Sequence, residues 1–155
     1  LDYPDEVLAE LDVVVASLHS GLRQERAQVT ARLLNAIRNP NVDIIGHPRG
    51  GLIPTREPAD LDMDAVFAAA LETGTVLEIN ANPHRLDLDD THARRAVELG
   101  VMLAIDTDAH SAGDFEMLPY GIMTARRGWV EPSDVINTRG VDEFIAWMRT
   151  SKVRR

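Results

Sequence analysis

The sequence predicts an α/β fold built on a parallel sheet, either open or closed into a barrel. Three observations carry this expectation. Four short, nearly continuous apolar runs rich in β-branched residues recur along the chain. Helical patterns lie between them. Polar residues able to bind ligands follow the carboxyl end of each run. Alternation of strand and helix marks βαβ units, whose strands run parallel and whose active sites gather at the strand carboxyl ends.

The first run, Val13-Val14-Val15-Ala16-Ser17-Leu18, reads as a buried strand because it is short, apolar and bounded by polar residues. A helix follows over Gln24 to Arg38, with Ala27, Leu33, Leu34 and Ile37 at helical spacing and Asn39-Pro40 as its stop. Val42-Asp43-Ile44-Ile45-Gly46 forms the second strand. Asp62 then caps a helix over Met63 to Thr73, which turns Val66, Phe67, Ala70 and Leu71 inward and stops at Gly74. Thr75-Val76-Leu77-Glu78-Ile79-Asn80 is the third strand. Asp89 or Asp90 caps a helix over Thr91 to Leu99, which ends at Gly100, and Val101-Met102-Leu103-Ala104-Ile105 is the fourth strand. Met117 to Trp129, with Gly121 and Gly128, reads as a loop and a short helix. Glu131-Pro132-Ser133 starts a helical turn. Val141 to Ser151, with Phe144, Ile145 and Met148 on one face, is expected to be a final covering helix.

The 155 residues suit one compact domain, and a hydrophobic share of 45% supplies its core. The chain has no cysteine, which excludes disulfides and thiolate metal sites. Any metal must therefore be held by imidazole and carboxylate, donors that suit Zn, Mn or Fe. The formal net charge of −9 leans away from stand-alone binding of DNA, although bound divalent cations would offset it locally. No apolar run reaches the length of a membrane span, and the start at Leu1-Asp2-Tyr3-Pro4 has neither the basic region nor the apolar stretch of a secretory leader. A cytoplasmic location without membrane contact is the expectation.

The strand ends carry the chemistry. The first strand leads into His19, the second into His47-Pro48-Arg49-Gly50, the third into Asn80-Ala81-Asn82, and the fourth into Asp106-Thr107-Asp108-Ala109-His110. On a parallel sheet these ends share one face, so residues distant in sequence can converge on one cation. Asp108 and His110, one residue apart, point the same way on an extended segment and could hold one metal or two adjacent ones. Two cations about 4 Å apart would clamp the attacking and leaving oxygens of a phosphate ester.

Each residue also has a plainer reading. His19 could be a core histidine bonded to backbone, His47 could simply end a strand, and Asp106 or Asp108 could cap the next turn. Glu78 could be a ligand, an acceptor behind a ligand, or a buried partner of Arg85. His84 reads best as a turn residue and His92 as an exposed one beside Arg94 and Arg95. Arg49, Arg56 and Arg85 are the residues able to grasp a phosphate, and Asn80 and Asn82 could contact substrate or ligands. No Gly-x-Ser-x-Gly elbow and no P-loop ending in Gly-Lys-Ser/Thr is present.

The segments Val15-Ala16-Ser17-Leu18-His19-Ser20, Ile45-Gly46-His47-Pro48, Leu77-Glu78-Ile79-Asn80-Ala81-Asn82-Pro83 and Ile105-Asp106-Thr107-Asp108-Ala109-His110 resemble the PHP (polymerase and histidinol phosphatase) superfamily. Asn82-Pro83-His84-Arg85-Leu86-Asp87-Leu88 is most like the PHP domain of bacterial family X DNA polymerases and stand-alone bacterial PHP proteins. The resemblance implies a distorted, TIM-like parallel barrel of seven strands with two or three divalent metal ions (Zn, Mn or Fe). His19 and His47 would share one metal, Asp108 would bind a second and His110 a third. The family's early His-x-His motif and bridging Glu are not in this sequence, so residues 1–155 read as the C-terminal part of one PHP domain, completed by a missing N-terminal part. One departure is Arg49-Gly50-Gly51 after the Gly-His-Pro motif, where relatives often have Gly-Arg.

The function implied is a metal-dependent phosphoesterase, acting on a phosphorylated small molecule as histidinol phosphatase does, or on a DNA 3'-end in DNA repair. An upstream polymerase domain is the partner that the second substrate suggests. The alternative is a catalytically incomplete structural or interaction module attached to a polymerase.

Overall fold

A computed structural model describes residues 1–153; the expected domain runs to 155, so residues 154 and 155 lie outside the described residues. The elements are α1 (Asp5–Leu8), β1 (Val15–Ala16), α2 (Arg26–Ile37), β2 (Ile44–Ile45), α3 (Met63–Thr73), β3 (Val76–Asn80), α4 (Asp90–Glu98), β4 (Leu103–Asp106), α5 (Leu118–Arg127) and α6 (Val141–Val153), with 3-10 turns at Ala112–Met117, Pro132–Asp134 and Ile136–Thr138. The strands form one sheet in the order β1-β2-β3-β4, and all pairings are parallel. Consecutive parallel strands joined by helices are the successive units of a TIM-like barrel, as expected. Among the described residues β1 has a sheet neighbour only in β2, and Val15 on it is 55% exposed. No helix of the described residues is long and apolar enough to cross a membrane.

Side chains alternate between two faces of the sheet. Ala16, Ile45, Leu77, Ile79 and Leu103 pack with Val29, Leu33, Ile37, Val66, Phe67, Ala93 and Ala125 in the main core. The other face buries Ile44, Val76 and Ala104 with Ile136, and Phe144 and Trp147 of α6 pack against them. Farther along that second face, Glu78 and Asn80 stand on β3, and Asn80 lies opposite Asp106 of β4. Hydrocarbon thus gives way to carboxyl and amide groups at the strand carboxyl ends.

Several local expectations change. The inward stripe of α2 runs through Val29, Thr30, Leu33 and Ile37, leaving Ala27 exposed. In α3 the stripe runs through Val66, Phe67, Ala69 and Ala70, and Leu71 faces solvent at 52% exposure. Asp62 caps α3 as expected, accepting from the Ala65 N–H at 3.3 Å, and Gly74 ends it at φ 71°. Asp89, not Asp90, caps α4. Asp90 instead meets the Arg127 guanidinium at 2.8 Å.

The stretch Met117 to Trp129 is mostly helix, not loop, because its glycines are sites of close approach rather than turns. A Cβ on Gly121 would lie 2.7 Å from both Ala81 Cβ and Ile105 Cγ2, and one on Gly128 would lie 2.7 Å from the Asp90 carbonyl oxygen. Gly121 therefore lets α5 lie directly on β3 and β4. Gly121→Val is expected to destabilise the protein by about 1–3 kcal/mol through overpacking, read as a lower urea midpoint at unchanged slope. An unshifted midpoint would show that α5 does not sit this close.

Candidate active site

Gly46 follows β2 at a point where a side chain could not fit. A Cβ there would meet Ser17 Oγ at 2.7 Å and stand 3.5 Å from Glu78 Oε2. The space lets the Glu78 carboxyl reach the next residue, and its Oε2 accepts the His47 backbone N–H. His47 is buried, at φ 28°, and Asp108 is at φ 52°. Two expected ligands thus occupy the left-handed region that ordinary side chains avoid, a conformation kept where the surroundings over-determine it and concentrated at functional sites. The rings of His19 and His47, from different strand ends, are 5.1 Å apart between centroids and tilted by 58°.

Burial, and then the positive Arg85 nearby, lower the pKa of His47 below its ordinary value. Its backbone and the Asp108 carboxylate only partly oppose this, so the ring is neutral at pH 7 and able to donate a lone pair. Its Nδ1 is buried without a hydrogen-bond partner among the described residues. A neutral buried imidazole with an unused nitrogen, next to a second imidazole, fits a borderline divalent cation.

Asp108 donates its N–H to Asp106 Oδ1 at 3.0 Å, and its Oδ2 lies 3.5 Å from Arg85 Nε. His110 is exposed. Its Nδ1 lies 2.6 Å from the Asp108 carbonyl oxygen, and its N–H donates to Asp114 Oδ2 at 2.8 Å. The structure thus brings His19 and His47 together, sets Asp108 where its charge acts on His47, and turns His110 back on its own loop. Among the described residues no three His, Asp or Glu side chains gather closely enough to hold an ion.

Glu78 acts behind His47 and is not the partner of Arg85, which pairs with Asp108. Burial, followed by a hydrogen bond with Asp106, pushes the Glu78 carboxyl up to about 10. The Asn80 amide lies 3.3 Å from both Glu78 oxygens, and Asn80 Oδ1 accepts the Asn82 N–H at 3.0 Å. Arg49 pairs with Asp89 at 3.0 Å, and Arg56 Nε donates to the Gly50 carbonyl at 2.9 Å. These two arginines and Arg85 line a cavity of about 430 Å³ with Leu52, Ile53 and Pro54. Arg85 Nη1 is buried without a hydrogen-bond partner among the described residues, so a donor that water does not reach is left there.

His84 is exposed in an Asn82 turn, as expected. His92 is half-buried rather than exposed, because its Nδ1 lies 2.8 Å from both Asp89 oxygens. Burial raises the Asp89 pKa, but the ring and N–H of His92 and the Thr91 hydroxyl outweigh it and hold the group well below the ordinary value. Asp106 caps the turn as its plainer reading had it, accepting the Asp108 N–H, and also partners Glu78, which was not foreseen; nor were the roles of Asp114 and Asp87. Asp114 holds the His110 turn as half of a local capping box with Ser111, a Ser-x-x-Asp spacing that was a usable signal, whereas Asp87 holds the turn after His47 through a loop return that periodicity does not encode.

No family model matches the chain. It is similar to a Bacillus subtilis protein named DNA polymerase/3'-5' exonuclease PolX, at 44% identity over 149 residues that make up 96% of this chain and 26% of that protein. A probable phosphatase of Thermoanaerobacter sp. strain X514 is 32% identical over 147 residues, covering 89% of this chain and 58% of its own length. A probable phosphatase of Caldanaerobacter subterraneus is 37% identical over 123 residues, 74% of this chain and 46% of the relative. The chain spans less than two thirds of each of these proteins. Strand-end motifs, parallel topology and relatives agree, and the chain belongs to the PHP superfamily, among its family X polymerase and stand-alone phosphatase branches.

Proposed function

We propose that the chain contributes part of a metal-dependent phosphoesterase site, with His19 and His47 sharing a divalent cation and Asp108 and His110 holding others. The observation that carries this reading is the pair of imidazoles 5.1 Å apart, one of them buried and with an unbonded Nδ1. Two or three ions of Zn, Mn or Fe would activate water for attack on phosphorus and screen the phosphate charge. The chain's own residues do the rest. Burial and Arg85 keep His47 neutral, Glu78 fixes its backbone, and the unused Arg85 donor suits a phosphate oxygen. The half-set of ligands and the open edge of β1 fit completion by another segment of the same PHP domain.

The substrate is a DNA 3'-end, which the likeness to PolX favours and which would place the domain beside a polymerase in DNA repair, or a small phosphomonoester, which the phosphatases favour. A second reading has two observations behind it: among the described residues no three ligand side chains converge, and Asp108 faces Arg85. On that reading the domain is a structural module of a polymerase.

Metal analysis separates the two. The domain with its completing segment is expected to hold about two or three equivalents, and chelation is expected to remove both the metal and the hydrolysis of p-nitrophenyl phosphate. A protein that binds no metal, with hydrolysis indifferent to chelator, would leave the structural module.

A further inference from the structure

The segment 82–88 leaves the carboxyl end of β3, turns at Asn82, and comes back along the strand it left. Arg85 N–H donates to the Asn82 carbonyl at 2.7 Å, Asn80 N–H to the Asp87 carbonyl at 2.7 Å, and Leu88 N–H to the Glu78 carbonyl at 2.9 Å. Because β3 lies between β2 and β4, this return sits between the ends of both neighbours. On the β4 side Arg85 meets Asp108. On the β2 side the His84 carbonyl accepts the Ile53 N–H at 2.6 Å. The Asp87 side chain, buried, accepts the N–H groups of Arg49 at 2.9 Å and Gly50 at 2.8 Å through one oxygen, Oδ2.

Arg49 and Gly50 belong to the turn that His47 opens, and Gly50 N–H also donates to the His47 carbonyl at 2.9 Å. His47 is therefore held at its N–H by Glu78 and, through the turn, by Asp87. Asp89 also holds the Arg49 side chain at 3.0 Å, but among the hydrogen bonds described it is Asp87 that takes the backbone N–H groups of the turn from the β3 side. We infer that Asp87 is a positioning residue that sets the His47 ring by gripping the two N–H groups that follow it. The inference rests on the proposed metal site, since a ring needs such exact placement only if it holds something. Groups behind metal ligands typically matter about 10–100-fold in affinity.

Zn²⁺ alone is the probe. Asp87→Ala is expected to weaken Zn²⁺ binding, measured by calorimetry, by about tenfold or more. Asp87→Asn keeps an acceptor oxygen for both N–H groups and should restore affinity to within about threefold. In the metal-free protein the His47 side-chain resonances should move in Asp87→Ala and return in Asp87→Asn. Should Asp87→Ala not fold, Asp87→Ser, whose hydroxyl is too short to span both donors, reads the same direction. Wild-type affinity and unmoved resonances in the Ala or Ser variant would overturn the inference. So would equal weakening in Asn and Ala, which would make the charge, not the grip, the cause. Failure of the wild-type protein to bind Zn²⁺ would instead remove the metal site, and the resonances would then decide the role of Asp87 alone.

Discussion

In the completed domain, His47→Ala should lower phosphoester hydrolysis by about a hundredfold to a thousandfold, the scale on which preorganised charge-stabilising groups act, and should reduce bound metal in parallel. Of the four expected ligands His47 is the one the structure engages most. It is buried, neutral, beside His19, in a left-handed backbone conformation and tied to Glu78. Removing the ring would take a donor from the proposed cation but little from the core, because His47 lies beyond the apolar rows of the sheet. The fold should therefore survive, and a near-normal thermal transition is the control. His47→Asn is a second control, since asparagine tolerates positive φ better than alanine. The loss should fall on kcat with the metal content. His110→Ala, at an exposed residue held by its own turn, should cost less. Activity retained in His47→Ala would dismiss the site, whatever the family likeness.

The sequence made the strands legible because a strand buried on both faces reads as a continuous apolar run, and Ile44, Ile45, Val76 and Leu77 do so. It made the site legible because parallel strands bring their carboxyl ends together, so His19 and His47 could be expected to meet although 28 positions separate their numbers. Helix faces were less legible. Leu71 continues the Phe67 row by spacing, yet only the neighbours of α3 decide where its stripe ends. Gly121 and Gly128 carried a signal with two meanings, a turn or a close approach, and only the lie of α5 on β3 and β4 chooses between them. The least legible part was Asp87, which acts on the backbone of a different segment through bonds that leave no periodic trace.

The second large effect concerns Glu78, whose carboxyl lies behind His47. Glu78→Leu should destabilise the metal-free protein by about 2–4 kcal/mol, because the His47 N–H and the Asn80 amide would lose their acceptor in a buried place. Glu78→Gln keeps an acceptor and should fold well, and its behaviour with pH is the sharper test. Burial and then Asp106 raise the Glu78 pKa from 4.5 to about 10. Between those values the folded protein keeps a proton that the unfolded chain releases, so protonation at Glu78 makes stability fall as pH rises through that window. Glutamine cannot titrate and escapes this loss. Urea midpoints taken from about pH 5 to about pH 9 should therefore show Glu78→Gln gaining on the wild type as pH rises. Parallel curves would mean that Glu78 is already a carboxylate in the fold. The N–H of His47 would then be held by a full negative charge, and the cation at the two imidazoles would sit in a more negative field than a neutral acid provides.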